Sequence, residues 1–195
     1  MKRSELKKQA KAALKGHWGV AILVGLALTG INYAVTLIPV IGWIVSLAAV
    51  VLEFGFAAFY LSVIRAGDIK FSTLFNASFE GFFKKLGTYW LQVLYLALWS
   101  LLFFIPAIIK GYAYAMTEFI LLDNPEMTAN EAITKSREMM NGYKWKLFVL
   151  DLSFIGWRLL GGIPVLGTVL NLLYVNPYYA ATRAQFYEEL KAIKG

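Results

Sequence analysis

Residues 89–122 read YWLQVLYLALWSLLFFIPAIIKGYAYAMTEFILL, with Pro106 dividing the run. The stretch is too long and too apolar for an ordinary soluble core helix. Two membrane-crossing helices joined by a minimal turn suit it, because about 20 apolar residues rising 1.5 Å each span the hydrocarbon core of a bilayer. Both halves are short for that task, so tilt, local thinning or a kinked, re-entrant pair is the alternative. The run speaks to environment rather than chemistry, and nothing in it names a substrate.

Composition points the same way. Of the 195 residues, 59% are hydrophobic and 16% charged, where a soluble chain uses about 25% charge. Aromatic residues cluster near the ends of apolar runs, as anchoring at a membrane interface favours. Cysteine is absent, which removes disulfides, thiolate metal sites and thiol catalysis. The one histidine, His17, sits beside Trp18 at the edge of an apolar run and reads as an interface residue rather than a catalytic base. The net charge of +7 comes from basic residues that flank apolar runs. Anionic lipid headgroups are therefore the expected partner, not nucleic acid. No cofactor is expected.

Outward from the central run, the chain divides into similar pieces. Residues 1–17, MKRSELKKQAKAALKGH, place Leu6, Ala10, Ala13 and Leu14 on one face of a basic helix. This predicts an interfacial helix before an uncleaved first span, since no polar mature domain follows. Spans are expected at about 18–38, 43–64, 89–105, 107–122, 145–160 and 165–181. The turns fall at Pro39 and Gly42, at 65–68, at Pro106 and at 161–164, and the last span unwinds near Asn176-Pro177. An amphipathic helix is predicted over 69–87, where Phe71, Leu74, Phe75, Phe79, Phe82, Phe83 and Leu86 recur at helical spacing. It lies along the inner interface or packs across the bundle ends. A second, over 128–142, opens with the capping box Thr128 to Glu131 and stops at Gly142. The tail 183–195 returns to water, with Phe186, Tyr187 and Leu190 against the inner interface.

The predicted fold is all-α: one membrane domain, 1–195, a polytopic helical bundle of about six transmembrane helices with two interfacial amphipathic helices. Apolar hairpin followed by amphipathic helix occurs twice, with Thr88-Tyr89-Trp90 and Tyr143-Lys144-Trp145 opening the next spans. An internal repeat and local convergence both account for this. Orientation follows from charge. Of the 19 basic residues, all but Lys110 and Arg158 fall in the segments assigned to one side. The positive-inside rule makes that side cytoplasmic and puts both termini there.

Glu53, Glu118 and Asp151 are the conspicuous carboxylates inside predicted spans. Charge in hydrocarbon is costly, so each needs a partner, water or a proton. Together they form a candidate polar site that shares a proton or binds a cation, and helix-packing hydrogen bonds are the plainer reading. Lys110 and Arg158, on the opposite side, are candidate contacts for an anion or lipid phosphate, with snorkelling as the alternative. Tyr112, Tyr114, Asn32, Asn171 and Asn176 line a polar cavity or bond helix to helix. No nucleophile elbow is present.

Several segments also carry a family resemblance. ELKKQAKAALKGHW at 5–18, SLLFFIPAIIKGYAYAM at 100–116, LDNPEMTANEAITKSREMMNGYKWKLFVLDLSFIGW at 122–157 and NPYYAATRAQFYEEL at 176–190 resemble a family of uncharacterised integral membrane proteins common in Gram-positive bacteria. The resemblance covers nearly the whole chain. It implies a multi-pass helical protein of the bacterial cell membrane with no established molecular function. The fold is also distantly similar to membrane domains fused to some glycerophosphodiester phosphodiesterases. The catalytic barrel of those enzymes has no counterpart here, so no hydrolase activity transfers.

Two functional expectations follow. The first is a noncatalytic membrane protein that engages lipid, another membrane protein or a second copy of itself. The second is a small transporter or channel component that uses the intramembrane carboxylates. A membrane enzyme lacks any motif in this chain.

Overall fold

The basic N-terminal segment forms the helix that its apolar spacing predicts. This is α1, Arg3–Ala13, with Leu6 and Ala10 buried and Leu14 sealed just beyond its end. The computed structural model describes residues 2–36, 50–65, 70–102, 104–159 and 166–194. Every regular element among those residues is a helix. After α1 the axis turns by 98° into α2, Trp18–Thr36. The basic helix therefore lies across the bundle and packs on the last helix. The turn expected at Pro39 and Gly42, the start of the second span, residues 66–68 and the 161–164 turn lie outside the described residues.

Helix α3, Val51–Ile64, is followed by α4, Ser72–Phe79, and α5, Phe82–Leu102. The expected single helix over 69–87 is thus corrected to two. The chain breaks at Glu80, which is extended, and Gly81, at φ +64°. An L-residue in that left-handed region is strained by about 1–2 kcal/mol, so glycine belongs there. The Lys85 ammonium donates to the carbonyls of Ala77 and Glu80 and satisfies the open end of α4. Residues from Phe82 onward join the third apolar run, which starts at Phe82 rather than Tyr89. Helices α3 and α4 touch through Gly55. A Cβ there would run into Ser78 Oγ and the Leu74 carbonyl oxygen.

The expected break at Pro106 is also corrected. Pro106 is the third residue of α6, Phe104–Tyr114, and a missing N–H costs nothing in a first turn. A turn at Ala115 and Met116 leads into α7, Thr117–Asp123. Taken together through that turn, Ile105–Asp123 is the one helical stretch among the described residues that is long and apolar enough to cross a membrane.

The capping box is present at α8, Ala129–Met139. The Thr128 hydroxyl accepts from the Glu131 N–H at 3.3 Å, and the Glu131 carboxylate accepts from the Thr128 N–H at 2.7 Å. Gly142 lies in the turn that follows, at φ +82°. Next come α9, Lys144–Leu159, and α10, Leu166–Leu170. A π turn over Asn171–Val175 joins α10 to α11, Asn176–Lys194. Pro177 has no N–H to give and crowds the carbonyl of Leu173, so a widened turn relieves the clash. The unwinding expected near Asn176-Pro177 takes this form. Helix α11 then continues through Arg183 to Lys194 without a break, which corrects the expected end of the last apolar helix at 181.

The main core gathers at one end of the bundle. Leu6, Ala10 and Leu14 meet Phe59 and Tyr60 of α3, Ile120 of α7, Met140 after α8, Leu147 of α9, and Phe186, Tyr187 and Leu190 of α11. Burying each large apolar side chain contributes about 1.5–3 kcal/mol where water is the alternative. Elsewhere the helices present apolar side chains outward. Leu98, Leu101, Ile105, Ile108, Leu152, Ile155 and Leu159 are exposed on α5, α6 and α9.

Candidate functional site

Four helices converge on a cavity of about 270 Å³. Helix α2 supplies Gly25, Leu28 and Thr29. Helix α3 supplies Glu53, Phe56, Ala57 and Tyr60. Glu118 and Phe119 come from α7, and Asn176, Tyr179, Ala180 and Arg183 from α11. Local pairing sets several of these groups. The Thr29 hydroxyl donates to the Gly25 carbonyl at 2.9 Å, and the Tyr60 hydroxyl donates to the Ala21 carbonyl at 3.2 Å. The latter bond ties α3 to α2 at the cavity wall. Asn176 reaches the cavity from the position just after the π turn, where widened turns recur at functional sites.

Two of the three expected carboxylates share this cavity. Glu53 and Glu118 interact electrostatically, and Glu118 also feels Arg183. Asp151 stands one step away: its Oδ1 accepts from the Tyr179 hydroxyl at 3.0 Å. Tyr179 in turn lines the cavity, with the Arg183 guanidinium 5.9 Å from its ring centroid. Tyr112 lies beside Asp151 on the same side. Arg183 donates through Nη2 to the Ala115 carbonyl at 3.3 Å, while its sealed Nε has no hydrogen-bond partner among the described residues. Glu118 and Asp151 therefore both act on one guanidinium, and Glu53 acts on Glu118. Among the described residues, no group of three or more His, Asp or Glu side chains is arranged to hold a metal ion.

Other expected residues go elsewhere. Lys110 lies over the Trp99 ring, 4.2 Å from its centroid. The side chains of Arg158 and Asn32 lie outside the described residues. Tyr114 is buried against Tyr95, and Asn171 donates to the Gly167 carbonyl within its own helix.

Sequence reasoning missed two groups. Arg183 reads as a tail cation once the last apolar run is ended at 181, and only the continuous α11 carries it into the cavity. Asp123 reads as a helix terminator, yet it is the junction of three helices. Arg65, which caps the C-terminal end of α3, donates to both its oxygens at 2.8 Å, Lys191 at 2.5 Å and Tyr187 at 3.0 Å. Arg65 also binds Glu188 through Nε, at 2.8 Å. A signal existed in the spacing: Tyr187, Glu188 and Lys191 share one helical face.

No curated protein and no solved structure matches the chain. The family model described as a protein of unknown function, DUF975, matches it twice, over residues 1–110 and 101–194. The chain belongs to the DUF975 family.

Proposed function

We propose that this protein is a noncatalytic, multi-pass helical protein of the bacterial cell membrane that engages membrane lipid, with both termini in the cytoplasm. The carrying observation is the distribution of apolar surface. Leu101 is 83% exposed, Leu159 75% and Ile105 69%, all on helices whose neighbouring outward residues are apolar too. Soluble monomers rarely expose contiguous apolar patches beyond a few hundred Å². The apolar stretch within Ile105–Asp123 is only 39% buried, whereas a soluble core helix of that composition would be mostly enclosed. At about 1.5 Å per residue, its 19 residues approach the thickness of a hydrocarbon core.

Charge supports the orientation. The ionic junction of Arg65, Asp123, Glu188 and Lys191 lies at the same end as α1 and the C-terminus. The 98° turn after α1 suits a helix lying along the interface with its lysines in the headgroup layer. Trp90 and Trp145, both exposed, sit near the predicted inner ends of their spans, the depth that tryptophan favours. Carbonate washing of native membranes tests this reading. The full chain should stay in the pellet, and release into the wash would refute it.

One observation favours a second reading, a small transporter component. The cavity holds Glu53 and Glu118 beside an interrupted helix, as discontinuous transporter helices do at their binding sites. Flux in proteoliposomes that is lost in Glu118→Gln would support it, and absence of any flux would refute it.

A further inference from the structure

We infer that the cavity among α2, α3, α7 and α11 binds a group that carries a primary ammonium beside a phosphate, the chemistry of an ethanolamine-type headgroup. This inference rests on the membrane reading above and names the ligand class of its polar site. The wall formed by Glu53 and Glu118 offers carboxylate acceptors from two different helices. Opposite in sign stands Arg183, which also lines the cavity and whose Nη2 donates to the Ala115 carbonyl. Its guanidinium has five N–H donors, so an oxyanion in the cavity gains charge-assisted hydrogen bonds to it.

Single-sign ligands suit this arrangement poorly. A metal cation would be repelled by Arg183. A simple anion would face two carboxylates. A primary ammonium has three N–H donors for the glutamates, and an adjacent phosphate oxygen reaches the guanidinium. The cavity volume of about 270 Å³ lies just below the range of about 300–1,000 Å³ for drug-sized ligands. It therefore suits a headgroup rather than a whole lipid.

The test uses the full chain in nanodiscs containing equal amounts of phosphatidylethanolamine, phosphatidylcholine and phosphatidylglycerol, read by native mass spectrometry of retained lipid. Phosphatidylcholine lacks the N–H donors and phosphatidylglycerol lacks the amine. We expect phosphatidylethanolamine to be retained about tenfold over each, the size of one lost charge-assisted hydrogen bond. Glu118→Gln should abolish that preference, Arg183→Gln should weaken retention of all three lipids because they share the phosphate, and Glu126→Gln, on the exposed surface, should change neither. Displacement by soluble phosphoethanolamine supports the site and assigns a free solute as its source. Selective retention without displacement supports it and assigns the lipid. Equal retention of the three lipids with no effect of phosphoethanolamine overturns it. The wild-type comparison decides even where a variant fails to fold. A carbonate-resistant protein with no selectivity refutes this inference alone, whereas release by carbonate refutes the membrane reading beneath it.

Discussion

Replacing Asp123 by asparagine perturbs the junction that ties α3, α7 and α11 together. The wild-type carboxylate accepts four hydrogen bonds, two from Arg65 and one each from Lys191 and Tyr187. Its side chain is only 9% exposed. Asparagine keeps one acceptor oxygen and loses the charge. Each charge-assisted bond contributes about 1.5–3 kcal/mol net, and stripping a partner from a fully buried pair costs about 3–5 kcal/mol. Here the cations are more accessible, with Arg65 37% and Lys191 46% exposed, so water recovers part of the loss. Arg65 also keeps Glu188. The expected destabilisation is therefore about 2 kcal/mol. For a chain of this size, that corresponds to a melting-temperature drop of about 4–8 °C. The assay is thermal unfolding in detergent of wild type, Asp123→Asn, Arg65→Ala and the double variant. A coupling of about 1 kcal/mol between the two sites is expected. Additive effects, or an Asp123→Asn melting temperature within about 1 °C of wild type, would refute the junction.

Gly55→Ala drives a Cβ into the Leu74 carbonyl and should cost about 2–3 kcal/mol, because backbone rather than a flexible side chain must move. Adding Ser78→Gly removes only one of the two clashes, so melting temperature should recover in part, and full recovery would contradict the backbone contact. Thr128→Ala should cost about 1 kcal/mol and speed amide exchange in the first turn of α8. The backbone N–H and hydroxyl of Thr128 hold the Glu131 carboxyl below its ordinary range. Its folded value is depressed, so the capping contribution is complete above the ordinary glutamate range and fades as pH falls through the folded value. Exchange at α8 measured across that window checks the sign. Leu94→Arg should reduce the membrane-inserted yield, since arginine well inside the span costs up to about 2.5–3.5 kcal/mol. An unchanged pellet fraction would argue that this surface faces water.

Features with local signals were legible in the sequence. The α8 cap is set by Thr128 and Glu131, and the buried face of α1 by the spacing of Leu6, Ala10 and Leu14. The joint between α4 and α5 was not legible, because the phenylalanines keep helical spacing straight across Gly81 and hide the break. Pro106 misled for the opposite reason: a residue that ends a helix interior is tolerated in a first turn, and sequence alone does not say which applies. The cavity was half legible. Glu53 and Glu118 stand out as charges in apolar runs, but pairing them with Arg183 needs the long-range packing of α3, α7 and α11. Asp123 shows the same limit, since its partners lie 58 and 68 residues away in sequence.

The most direct test of bilayer residence exploits a natural advantage: the chain has no cysteine, so single thiols can be placed at will. Leu94→Cys, Asn141→Cys and Lys194→Cys are labelled with a membrane-impermeant maleimide in intact cells, in inside-out vesicles and after solubilisation in denaturant. Bilayer residence predicts that Asn141→Cys and Lys194→Cys label only when the cytoplasmic face is open, and Leu94→Cys, exposed on α5, only in denaturant. Labelling of Leu94→Cys as fast as Asn141→Cys in vesicles, or of Asn141→Cys in intact cells, would contradict it.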